Sequence, residues 1–286
     1  MSFEVQWPLV FFSLLAGSGG TLACFLGLSE LTGRAKEGRF VGSIVSLVLV
    51  VVGGCCSVLH LALPQNVMAA ATNIFSFSGV SVELIMIGIT FVVVFVYLVI
   101  LVRVKNDTAL KVFAVLGIVS GLVLAFVCGH GYVIESRHYW DTNLLPFAYL
   151  GSVLPVGAFA YLLIARIKGA SLDDIASFRV WIVVAAVLSV VSMIAYMAFC
   201  GAEVLSRDLL NTVGLMVVCG MVGVVACTAL SLKPSEKTFT AVASVAVVLA
   251  LLGGLGTRVL MWEASDGWFE AWYIEENNIM IGTDDY

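Results

Sequence analysis

Charge is what this 286-residue sequence has least of: 12% of its residues are Asp, Glu, Lys or Arg, against 61% apolar. A water-soluble domain carries about 25% charged and about 45–50% apolar residues, so a soluble enzyme is excluded at once. Proline is equally scarce, five residues against 27 glycines, which places the apolar excess in long uninterrupted helical runs rather than in a disordered or fibrous chain. A basic excess is missing too. With 14 Lys and Arg against 19 Asp and Glu, the chain lacks the cationic surface that binding to nucleic-acid phosphates requires. Seven cysteines are present, but none forms a C-x-x-C pair or a cluster with histidine. Zinc or iron–sulfur ligation by this chain is therefore not expected. They read as small packing residues; Cys128 and Cys200, both near outer helix ends, leave a disulfide open.

What is present is a series of eight apolar stretches, at 8–31, 40–63, 81–102, 111–132, 145–165, 180–200, 211–232 and 239–262. Each has the roughly 20 residues a helix needs to cross a bilayer. Leu47–Val52 and Phe91–Leu101 are apolar without a break, which disfavours the alternating polarity of barrel strands. The expected fold is an all-α integral membrane bundle of eight transmembrane helices over 1–262. The first stretch is too long for a signal-peptide core and has no basic residue before it, so it is expected to be retained. Arg34, Lys36, Arg39, Arg103, Lys105, Lys111, Arg166, Lys168, Arg179, Lys233 and Lys237 fall in alternate joints; Arg137, Arg207 and Arg258 are the remaining basic residues. Positive residues stay on the cytoplasmic side, so both termini are expected outside. The segment 263–286 has no Lys or Arg and reads as an acidic outer tail, either solvated or docking a partner.

An ionisable group within a span is costly unless paired or facing a cavity, and is a functional candidate by default. His60, Glu83, His130, Glu203 and Arg258 are expected to gather at the outer face. Glu30, at the inner end of the first span, has Arg34 four residues on, a sufficient helical pair. Imidazoles, carboxylates and a guanidinium at one depth suit the oxidation of a quinol, which must be held by hydrogen bonds at both oxygens and lose two protons as two electrons leave. His60 is the candidate for bonding a quinol oxygen, Glu83 the proton acceptor, and Arg258 its counter-charge. His60 and His130 lie at depths where one haem could be ligated. With three histidines in the chain, and His138 in an outer loop, no haem is expected. The glycine clusters Gly17-Ser18-Gly19-Gly20 and Gly253-Gly254-Leu255-Gly256 do not follow a strand, so they suit close helix packing rather than nucleotide binding.

In order along the chain, Trp7-Pro8-Leu9-Val10-Phe11-Phe12, Leu59-His60-Leu61-Ala62-Leu63-Pro64, Ser81-Val82-Glu83, Gly201-Ala202-Glu203, and Gly253 with Arg258 resemble the membrane anchor subunit of dimethyl sulfoxide reductase, the DmsC family. The resemblance covers nearly the whole chain. It implies an anchor of the cell inner membrane, without haem, acting in anaerobic respiration. Such an anchor oxidises menaquinol near the outer face and passes electrons to a four-cluster iron–sulfur subunit, which feeds a molybdopterin catalytic subunit. It carries quinol binding to His60 and the acidic residue opening the third helix to Glu83. Asn66 stands where the family has a basic residue after the proline, and Gly254 where it has Glu before the final Arg, so quinone contacts or docking there are expected to differ. The related polysulfide and nitrite reductase anchors have the same span count. A secondary transporter, or a passive anchor with no quinol site, are the readings from other classes; a transporter would place charges near the bilayer midplane, whereas here they sit at helix ends.

Overall fold

A computed structural model of the chain describes residues 5–59, 74–76, 78–205, 208–235 and 238–276, with backbone alone for 202–211 and 266–276. It contains helices and no strand among the described residues: α1 (Trp7–Thr32), α2 (Arg39–Leu59), α3 (Gly79–Val99), α4 (Asp107–His130), α5 (Leu144–Ile167), the short α6 (Leu172–Ser177), α7 (Arg179–Leu205), α8 (Asp208–Ser231) and α9 (Phe239–Glu276). All but α6 supply a span long and apolar enough to cross a membrane, eight in total, at the positions expected from hydropathy.

Burial ranks these spans. Residues of α1 are 83% buried and those of α5 72%, whereas α2 and α3 are 28% buried, so α1 and α5 form the centre and the others present valine and isoleucine to lipid. In hydrocarbon, apolar side chains gain nothing by leaving lipid for a neighbouring helix; close backbone approach through small residues drives packing instead. Both glycine clusters serve that purpose. A Cβ on Gly20 would come within 2.6 Å of the Gly121 carbonyl oxygen of α4, and one on Gly19 within 2.9 Å of the Ser46 carbonyl oxygen of α2. Gly253 of α9 meets Gly220 of α8, where an added Cβ would lie 3.1 Å from its Cα. At these approaches hydroxyls bond across helices: Ser46 Oγ donates to Gly19 O at 2.8 Å and Thr21 Oγ1 to Val153 O at 2.9 Å.

Several ends differ from the hydropathy reading. The third span continues past α3 through a π turn, Ile100–Val104, closed by Lys105 at φ +53°. Gly201, at φ 80°, breaks α7 near its end; the left-handed region favours glycine. The last helix does not stop at Trp262 but runs on to Glu276, so the beginning of the acidic segment is helical.

The bundle has two chemically different ends. One, the basic end, holds Arg34, Lys36, Arg39, Arg103, Lys105, Arg166, Arg179 and Lys233; the other, the acidic end, holds Glu83, Glu135, Asp141 and Glu263. At the basic end Glu30 does not pair with Arg34 as its spacing suggests. Gly33, at φ 74°, ends α1 and turns Arg34 away to Asp174, 3.2 Å off. The Glu30 carboxylate takes Arg39 at 2.6 Å, the Tyr97 hydroxyl at 2.7 Å and Lys36 at 3.5 Å.

Candidate functional site

The acidic end is built around Arg258, which is 0% exposed. A guanidinium in the hydrocarbon region costs about 2.5–3.5 kcal/mol on insertion scales unless it is satisfied. Here the protein supplies acceptors from three helices. Nε donates to Ser13 Oγ at 2.9 Å and Nη2 to Ser13 O at 3.2 Å, both on α1; Nη1 donates to Ser152 Oγ of α5 at 3.1 Å and to Gly254 O, one turn back on α9, at 2.9 Å. The Tyr149 ring lies beneath, 4.4 Å from Cζ to centroid, adding a cation–π contact. Four of the five guanidinium hydrogens are thereby used. No ion pair joins Arg258 to Glu83, so the counter-charge expected from the sequence is not formed: serines and a carbonyl take that place.

Glu83 stands on the first turns of α3 and is 9% exposed. Its carboxylate makes no hydrogen bond or ion pair with any described residue. It lies against Gly131, where a Cβ would overlap Oε1, and a Cβ on Gly79 would lie 3.2 Å from the Cα of the same glycine. The start of α3 can therefore approach the end of α4 only because position 131 carries no side chain. Immediately after it, Tyr132 turns inward. Its ring centroid lies 5.8 Å from that of Tyr149, 5.7 Å from Trp140 and 6.2 Å from Trp262. Tyr132 thus packs on Tyr149, the ring under Arg258, and directly follows the glycine that meets the carboxylate. Burial pushes its phenol well above the ordinary value, with Tyr149 and Glu83 adding to the effect, so it stays protonated as a donor.

The aromatic wall is tied to α9. Trp140 Nε1 donates to Met261 O at 2.9 Å and packs edge-on against Trp262, 4.9 Å away. Arg137 bonds Ser265 Oγ at 2.6 Å while its guanidinium covers Trp140. Trp262 Nε1 is buried and has no hydrogen-bond partner among the described residues. The Glu83 carboxylate and this indole N–H are chemically open positions among the described residues at this end.

Of the residues singled out in the sequence, Glu83 and Arg258 come to this one end, Glu83 against Gly131 and Arg258 over Tyr149. His130 is at the same end but faces outward: it is exposed and stacks on Phe126 at 6.1 Å. His60 lies outside the described residues, as does the side chain of Glu203. Cys128 and Cys200 are buried free thiols rather than a disulfide. Sequence reasoning missed Ser13, Tyr132, Tyr149, Ser152 and Trp262. Gly131, next to the flagged His130, was the available signal, because a glycine at a helix end often marks close approach. Among the described residues no three His, Cys, Asp or Glu side chains gather as a metal centre would need.

No curated protein matches the chain significantly. The family profile of the DMSO reductase anchor subunit (DmsC) matches residues 2–262, a range that takes in the first seven spans, the eighth as far as Trp262, and Ser13, Glu83, Tyr132, Tyr149, Ser152 and Arg258 of the site just described. The chain therefore belongs to the DMSO reductase anchor subunit (DmsC) family, the membrane anchors of DMSO reductase-type complexes.

Proposed function

We propose that this anchor oxidises menaquinol at its acidic end, which faces outward, and delivers the electrons to an iron–sulfur subunit that supplies a molybdopterin catalytic subunit. The observation that carries the reading is the buried Glu83 carboxylate against Gly131, without a bonding partner among the described residues. A quinol hydroxyl needs an acceptor that is not already engaged, and Glu83 is one. Oxidation removes two protons and two electrons from the diol; Glu83 takes a proton from one hydroxyl and releases it to the outer aqueous side. Tyr132, held protonated, donates to the opposing oxygen or orients the ring, and His60 is assigned the other hydroxyl. Arg258 holds the serines and Tyr149 in register and keeps a fixed positive charge behind the site. The eleven-to-three division of basic residues between the two ends supports the outward placement, in keeping with a place in the inner membrane. The chain's own part in this reading is the proton and the positioning of the quinol.

The test is menaquinol-analogue-driven reduction of the iron–sulfur clusters in the purified complex. Glu83→Gln should slow it by about 10²-fold or more, the range of a lost general base, and His60→Ala should do likewise, with subunit assembly unchanged. Wild-type rates in both variants would overturn the assignment.

A further inference from the structure

Far from this site, α7 and α8 part on the lipid side and leave a cavity of about 400 Å³. Its walls are Val183, Val187 and Val191 of α7 and Val225, Thr228 and Leu232 of α8. Its lining is apolar throughout. The stripe on α7 continues one turn toward the basic end to Arg179, and that on α8 one turn from Ala229 to Lys233. Both cations are exposed, and neither forms an ion pair or hydrogen bond with any described residue.

We infer that this groove binds an anionic phospholipid, with one acyl chain between α7 and α8 and its phosphate on Arg179 and Lys233. Depth selects this occupant. From Val183 to Val191 the groove runs about 12 Å along the helix, close to the roughly 15 Å of one leaflet's hydrocarbon. A transmembrane helix of a partner would need a face twice as long. An isoprenoid quinol tail would fit the apolar walls but has no anionic group to meet the two cations. Charge and depth thus specify one ligand. The assignment does not depend on the quinol reading, since no residue of that site takes part.

Native mass spectrometry of the purified complex, titrated with phosphatidylglycerol and with phosphatidylcholine of the same chains, tests it. Wild type should retain one phosphatidylglycerol per anchor in preference to phosphatidylcholine. Arg179→Gln with Lys233→Gln should weaken that retention about thirtyfold, at roughly fivefold per surface cation. Ala229→Phe, which fills the groove and leaves the cations in place, should abolish it. Quinol-driven cluster reduction should persist in each, reporting intact assembly; if the double variant fails to assemble, Ala229→Phe decides alone. Equal retention of the two lipids, displacement by inorganic phosphate at equal concentration, retention by Ala229→Phe, or a quinone or polypeptide in the groove would each overturn the proposal.

Discussion

Glu30 and Glu83 are both buried glutamates near opposite ends of one bundle, and the protein treats them in opposite ways. Around Glu30 three donors from three segments converge, Tyr97, Arg39 and Lys36, so the charge is consumed in fastening α1, α2 and α3 together. Around Glu83 there is an aromatic wall, a glycine and no donor bonded to it. Removing a carboxylate from water costs several kcal/mol unless partners replace the lost hydration. A fold that had only stability to secure would have paired Glu83 as it paired Glu30. Glu83, without a bonding partner among the described residues, is the one that the proposed function leaves open for a ligand, and Glu30 is structural. Arg258 sharpens the contrast: at the same end as Glu83 it bonds through four of its five hydrogens to serines and carbonyls, without a carboxylate, so its charge is held in place but not neutralised.

The largest effect on stability should come from the paired end. Glu30→Ala strips the partner from Arg39 and Tyr97 and should destabilise the folded anchor by about 3 kcal/mol, the lower range for breaking a buried pair. The fraction that assembles should oxidise quinol at the wild-type rate. Thermal unfolding of the detergent-solubilised complex, set beside cluster reduction per assembled complex, separates the two. Loss of rate without loss of stability would mean that the two ends are not divided in this way. Next in size is Gly131→Ala. The new methyl meets Glu83 Oε1 and the start of α3, and overpacking of this kind costs about 1–3 kcal/mol. Unlike Glu30→Ala, it should also slow quinol oxidation, because it moves the carboxylate itself. A variant that is destabilised yet keeps full rate would show that Glu83 tolerates displacement.

The eight spans were legible because the bilayer sets their length and permits few polar residues within them. The glycine clusters were legible because helices in lipid meet through small side chains. The pairing of Glu30 was not. The four-residue spacing to Arg34 assumes a helix continuing through position 34, whereas Gly33 ends it and hands the carboxylate to Arg39 on the next helix. The site was half legible: Glu83 and Arg258 stand out as charges in apolar surroundings, but Tyr132, Tyr149 and Trp262 do not. An aromatic residue in an apolar run gives no sign of whether it faces lipid or a buried guanidinium; that is decided by tertiary packing. The same limit applies to Ser13 and Ser152, two serines among many on helices where most hydroxyls simply bond their own backbone.

Ser13→Ala is the smallest and finest probe of the comparison. It removes the acceptor for Arg258 Nε and leaves the Ser13 carbonyl, Ser152, Gly254 and the Tyr149 ring in place. Hydrogen bonds between helices in membranes average about 0.6 kcal/mol, so the loss of stability should be of that order. If Arg258 serves the site as a fixed charge, its position matters more than the strength of any one bond. The variant should then bind a menaquinol analogue less tightly by a few-fold, while Ser13→Thr, which keeps the hydroxyl, restores it. A paired titration of inhibitor affinity and unfolding temperature reads both quantities. A drop in unfolding temperature with unchanged affinity would place Arg258 with Glu30, among the charges that only hold helices together.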